Sequence, residues 1–162
     1  MNIKQIIFPI LLILIVNNIL AQNPLPYNPQ IDAKKQLDSA LTLAQKQNKH
    51  IFVQIGGNWC PWCIKLHNFY SQDTQLDSLM NADFVRLMVN YSKENKNLDL
   101  MQKFEYPQRF GFPVIVILDS DGKRLHTQNT EYLEENGGYS KKKFTEFLKN
   151  WNKQAINPNN YK

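Results

Sequence analysis

The chain has 162 residues, with 19 Lys and Arg against 14 Asp and Glu, for a net charge of +5. That length fits one domain. The excess of base is small, its lysines are scattered, and the only tight run is Lys141 to Lys143 on a predicted helix face, so the clustered basic footprint of a nucleic-acid binder is lacking.

Residues 1–21 have the pattern of a secretory signal peptide. Lys4 supplies the positive start, Ile6 to Val16 is an unbroken apolar run, and Ala21 is a small residue before Gln22. A membrane-spanning helix needs about 20 apolar residues, and Asn17 and Asn18 interrupt this run. A cleaved signal is expected, with an uncleaved membrane anchor as the weaker reading. Lipid attachment at the cleavage site is excluded, because the two cysteines are Cys60 and Cys63. Removing residues 1–21 takes away Lys4 and no acid, which leaves +4. The expected location is outside the cytosol, periplasmic or secreted.

The proline-rich stretch 22–30 reads as an extended lead-in, and 155–162 as a C-terminal tail. Between them, 31–154 reads as one domain without internal repeat. Ile31 to Asn48 has helical spacing at Leu37, Ala40, Leu41 and Ala44. His50 to Ile55 reads as a buried strand, broken by Gly56, Gly57 and Asn58. A helix is expected to start at the cysteines, where Pro61 suits a first turn, to reach about Tyr70, and to continue from Thr74 to Met80. Phe84 to Val89 reads as a second strand and Asn97 to Phe104 as a short helix. Pro113 to Leu118 is the strongest strand, Asp119 to Gly122 a hairpin turn, and Lys123 to Thr127 the return strand. Residues 128–138 read as a polar loop. Ser140 is expected to cap a last helix carrying Phe144, Phe147, Leu148 and Trp151 on one face. The early βαβ order implies parallel pairing and the late hairpin antiparallel pairing. The expected fold is α/β, a mixed central sheet with helices on both faces.

The chemistry concentrates in GGNWCPWCIKLH, residues 56–67. Three readings compete there. As a structural staple, a Cys60–Cys63 disulfide closes a loop worth only roughly 2 kcal/mol, against about 4.7 for a loop of about 100 residues. As a metal site, Cys60, Cys63 and His67 offer three ligands on one side of a helix. Structural zinc takes four, and His50 and His126 lie in other elements. As a redox pair, Cys60 is the exposed residue at a helix N-terminus, its thiolate stabilised by unpaired N–H groups. Cys63, one turn further in, is then the shielded resolving thiol. The redox reading fits best, with no metal and no cofactor beyond the cysteine pair. Trp59 is expected either at one lip of the site or in the core.

WCPWC between HIFVQI and a helix, followed by GFPVIVILDSDGKRL at 111–125, resembles the thioredoxin superfamily over about residues 31–154. More narrowly it resembles exported bacterial thioredoxin-like and disulfide-isomerase-like proteins. The resemblance implies a thioredoxin fold and a thiol–disulfide oxidoreductase acting on protein cysteines. It implies that Cys60 is the nucleophile, that Cys63 resolves, and that Pro113 is a cis-proline beside the sulfurs. Trp59, Pro61, Trp62 and Phe112 then shape the substrate site, with the Phe112 backbone pairing to a bound strand. Tyr106 and Phe110 fall near its rim or in loop packing.

The sequence departs from that pattern in three places. Gln54 stands where many members carry a buried acid that takes the resolving thiol's proton. Pro-Trp replaces the Gly-Pro of thioredoxin and the Gly-His of protein disulfide isomerase. Phe112 is bulky where Thr or Val is common. His67, four residues after Cys63, is a candidate proton relay in place of Gln54, against the plainer reading of a partly exposed ring or one bonded to backbone. The expected partners are protein thiols and disulfides and a membrane or periplasmic redox partner, with no nucleic acid and a monomeric state. The direction of electron flow is open at this stage, and so is a different class of function, a thioredoxin-fold binding module with an inert disulfide, or a minor metal-binding role.

Overall fold

A computed structural model describes residues 25–162. The expected signal peptide lies outside the described residues.

Helix α1 (Ala33–Gln47) starts where the Asp32 carboxylate accepts the backbone N–H groups of Lys34 and Lys35. It stops at Asn48, whose left-handed backbone returns its N–H to the helix carbonyls. Strand β1 (His50–Gly56) is buried along its whole length. Helix α2 (Pro61–Gln72) follows, and α3 (Thr74–Asp83) is a separate helix rather than a continuation. Asp73 divides them: its backbone is extended, and its side chain caps α3 through the N–H groups of Gln75 and Leu76. Next come β2 (Phe84–Asn90), the short helix α4 (Leu98–Lys103), β3 (Val114–Leu118) and β4 (Arg124–Asn129). The chain then forms a two-stranded hairpin, β5 (Glu134–Glu135) and β6 (Gly138–Tyr139), and ends in α5 (Lys141–Asn150).

The main sheet has the order β2-β1-β3-β4. β1 and β2 are parallel, as their helical crossover requires, while β3 runs antiparallel to both β1 and β4. The side chains of β1 alternate between the two faces. Ile51, Val53 and Ile55 join an aliphatic layer with α1 and α4. Phe52 joins an aromatic layer with α2, α3 and α5, where Tyr70, Phe84, Phe144 and Phe147 surround it. This is the thioredoxin fold, with helices on both faces of a mixed sheet.

Residues 128–138 are more ordered than a polar loop. Asn136 and Gly137 both have positive φ and join β5 to β6 as a two-residue hairpin turn. Ser140 occupies the N-cap position of α5 without a side-chain capping bond. Among the described residues no helix is long and apolar enough to cross a membrane.

Candidate active site

β1 ends at Gly56, and the turn through Gly57 and Asn58 delivers Cys60 to the start of α2. Cys60 is the N-cap residue: its backbone is extended, Pro61 occupies the first turn, and its sulfur accepts the Cys63 N–H at 3.2 Å. The two sulfurs are joined in a disulfide with the Cα atoms 5.2 Å apart. The arrangement follows from the sequence. Proline has no N–H to lose in a first turn, and three residues from the cap brings the second sulfur back to the first.

Cys63 is fully buried and Cys60 is 5 % exposed. Cys60 is therefore more shielded than its place at a helix start suggests. The physical reason is packing: Trp62, Ile64, Met88 and Phe112 close around the cluster of Tyr27, Cys60 and Cys63. Trp59 stands outside this cluster. It is 56 % exposed, donates its indole N–H to the Tyr91 carbonyl at 2.7 Å, and sets its ring edge-on to Phe112. Tyr91 packs on the same Phe112 ring at 4.8 Å. Trp59 is thus at the surface and not in the core.

The Phe112–Pro113 peptide bond is cis. Pro113 is buried at the head of β3, and its carbonyl accepts the Thr130 hydroxyl at 2.7 Å. Trp62, Phe110, Phe112, Pro113 and Thr130 line one cavity of about 300 Å³ beside the disulfide helix. Among the described hydrogen bonds none uses the Phe112 backbone. Phe110 and Tyr106 are exposed, which puts both at the surface and only Phe110 on the groove. Trp62 has Lys65 over its ring at 4.2 Å and Tyr139 edge-on at 5.5 Å.

Gln54 is fully buried, and its amide donates to the Tyr27 hydroxyl at 2.6 Å and to the Cys63 carbonyl at 2.9 Å. Its own carbonyl oxygen has no partner among the described residues. His67 does not join the cysteines. Its Nδ1 lies 3.2 Å from the Tyr70 hydroxyl, and burial, with Arg86 beside it, holds its pKa below the ordinary 6.5. Among the described residues no group of three His, Cys, Asp or Glu is placed to hold a metal ion. A separate cavity of about 670 Å³ lies between α1 and the 94–103 segment, away from the cysteines.

Tyr27 escaped the sequence reading, which treated 22–30 as a lead-in. It is 2 % exposed and packs directly on the cysteine pair. Asn58 holds it from both sides, accepting the Tyr27 N–H at 3.2 Å and donating to its carbonyl at 2.7 Å. The signal for this was weak: a tyrosine between two prolines, and an asparagine 31 residues away that gains nothing locally.

Residues 37–152 match the model of the Thioredoxin-like domain family. The chain belongs to that family. It carries the CxxC pair of the family's thiol–disulfide oxidoreductases, which is the enzyme class expected from the sequence. It is 27 % identical over 78 residues to "Disulfide bond reductase DsbH" of Chlamydia pneumoniae, covering 43 % of this chain and 45 % of that protein. The crystal structure of a disulphide isomerase from Xylella fastidiosa Temecula1 superposes with a TM-score of 0.69 at 26 % identity, covering 79 % of this chain and 97 % of the other. The C-terminal domain of Neisseria meningitidis DsbD, in its oxidised form, shares the fold with a TM-score of 0.55 at 17 % identity, covering 74 % and 96 %. The chain spans less than half the length of the curated relatives it matches.

Proposed function

We propose that the protein is exported and exchanges disulfides with cysteines of other proteins, with Cys60 as the nucleophile and Cys63 as the resolving thiol. The observation that carries this reading is the Cys60 sulfur at the N-terminus of α2, accepting the Cys63 N–H beside the Phe112–Pro113 groove. A donor N–H and the helix dipole both favour a thiolate at that place. In the reduced protein the Cys60 thiolate attacks one sulfur of a substrate disulfide. A Cys60–substrate disulfide forms and the other substrate sulfur leaves as thiolate. Cys63 then loses its proton and attacks the Cys60 sulfur. The Cys60–Cys63 bond forms, the second substrate thiolate leaves, and two electrons have passed to the substrate. The oxidised protein runs the same steps backwards.

The open backbone at Phe112 suits pairing with an extended substrate segment, which gives affinity with little demand on sequence. Trp59 and Trp62 flank the approach. The names of the reductase and isomerase relatives support the same chemistry, and the apolar run Ile6 to Val16 supports export. Export also fits the redox logic, since disulfides persist outside the cytosol. No cofactor beyond the cysteine pair enters the steps. A redox partner in or near the membrane resets the pair.

The reduction potential of the Cys60/Cys63 couple, measured by equilibration with glutathione and thiol trapping, tests the reading and gives its direction. Known pairs run from about −120 mV in a strong oxidant to about −270 mV in thioredoxin. A value of about −120 to −180 mV makes the protein an oxidant or isomerase, and about −250 mV or lower makes it a reductase. Absence of a reversible couple, or insulin reduction that survives Cys60→Ser, contradicts the enzyme reading and leaves a binding module with an inert disulfide.

A further inference from the structure

The site lacks the buried acid that the resemblance leads one to expect, yet the space around the resolving sulfur is not apolar. Three observations converge there. The Tyr27 hydroxyl accepts the Gln54 amide at 2.6 Å, so its own proton is directed elsewhere, and no described acceptor takes it. The Tyr27 hydroxyl and the Cys63 sulfur face one small space: a Cβ added at Gly56 would lie 2.9 Å from the first and 2.5 Å from the second. Gln54 also binds the Cys63 carbonyl, so a single amide ties the tyrosine to the helix turn that carries the sulfur.

We propose that when the disulfide opens, the Tyr27 hydroxyl donates a hydrogen bond to the Cys63 sulfur and stabilises its thiolate, with Gln54 positioning the ring. This rests on the exchange reading and adds to it a neutral donor that does the work of a buried carboxylate. The two devices differ. A carboxylate accepts the thiol's proton, whereas Tyr27 leaves the proton to solvent and stabilises the anion that remains. A hydrogen bond to a charged group contributes more than one between neutral groups, and a fully buried thiolate has little other solvation.

The surrounding groups leave Tyr27 in this role. Burial pushes its pKa well above 10, so it stays a protonated donor at every working pH. The titratable groups that face it are Cys60, Cys63, Tyr70 and Tyr139, and burial holds both of those tyrosines protonated as well. On α2, Lys65 reaches away to the Gly137 carbonyl and His67 to Tyr70. On β2, Arg86 is held by Asp77 and Asn81. Gln54 on β1 does not titrate.

The test uses the full exported chain. A mixed disulfide of Cys60 with thionitrobenzoate is prepared, and its closure by Cys63 is followed by release of the coloured thiolate from pH 5 to 10. Tyr27→Phe keeps the ring and removes the donor. The expected result is a closure profile displaced to higher pH, with closure near neutral pH slowed by about tenfold. Reaction of Cys60 with the reagent should change less than about twofold. Gln54→Leu should displace the profile in the same direction by a smaller amount. An unshifted Tyr27→Phe profile, in protein whose thermal unfolding matches the parent, overturns the role of Tyr27 and leaves the exchange reading intact. Failure of the parent protein to close at any pH overturns both.

Discussion

Phe52 and Gln54 stand two residues apart on the same face of β1, yet they belong to different chemical worlds. Phe52 sits edge-on to Tyr70, Phe84, Phe144 and Phe147 in the aromatic layer. Gln54 faces Tyr27 and Cys63 and leaves one buried carbonyl oxygen without a described partner. A protein stabilises itself by satisfying or avoiding buried polar groups. The difference therefore marks a division of labour along about 7 Å of strand. One end supplies stability, and the other keeps an incompletely satisfied polar group beside the Tyr27 hydroxyl and the Cys63 turn.

The sharpest way to break this comparison is to truncate its apolar end. Phe52→Ala should destabilise the protein by about 3–5 kcal/mol in denaturant unfolding, while any folded fraction keeps the parent reduction potential. A changed potential would mean that the two ends are not separate. At the polar end, Gly56→Ala places a methyl against the Cys63 sulfur and the Tyr27 hydroxyl. It should cost about 1–3 kcal/mol as overpacking and, unlike Phe52→Ala, shift the potential. Urea titration together with glutathione equilibration of both variants reads the contrast directly.

A smaller effect is expected at the joint between α2 and α3. Asp73 caps α3, which sets Leu76 and Met80 into the aromatic layer. Asp73→Ala should cost about 1 kcal/mol in urea, without change in thiol reactivity.

The smallest effect is on pH. His50 is buried and donates Nδ1–H to the Trp151 carbonyl, and burial lowers its pKa below 6.5. His67 is lowered for the same reason. The unfolded chain takes up these protons first, so their effect is absent above about pH 6.5. Stability should then fall as pH drops below that value towards the folded-state pKa values. Thermal unfolding between pH 7.5 and 5 should show this slope, and His50→Gln should flatten part of it.

Much of the fold was legible because it is written in local pattern. HIFVQI and PVIVIL are short β-branched and aromatic runs that suit a buried strand, and Pro61 behind Cys60 marks a helix start. The mix of parallel and antiparallel pairing followed from crossover and hairpin logic, while the strand order β2-β1-β3-β4 did not. Two features were not legible for the same reason, that their cause is distant in sequence. Tyr27 is fixed by Asn58, 31 residues on. The shielding of Cys60 comes from Phe112 and Met88 on other strands or loops. The division of α2 from α3 has a local cause, the Asp73 cap, missed because helical patterning continues on both sides of it. The β5–β6 turn is a different case: Asn136-Gly137 is a strong local hairpin signal, hidden because strands of two residues each carry no periodicity.

The central claim is that Cys60 attacks and Cys63 resolves. Trapping of mixed disulfides with a reduced Cys63→Ser variant and a reduced Cys60→Ser variant, each offered a disulfide-bonded protein under matched conditions, tests it most directly. The account predicts a long-lived adduct through Cys60 in the first and little or none in the second, because Cys63 is fully buried. Equal trapping in both, or trapping through Cys63 alone, would contradict it.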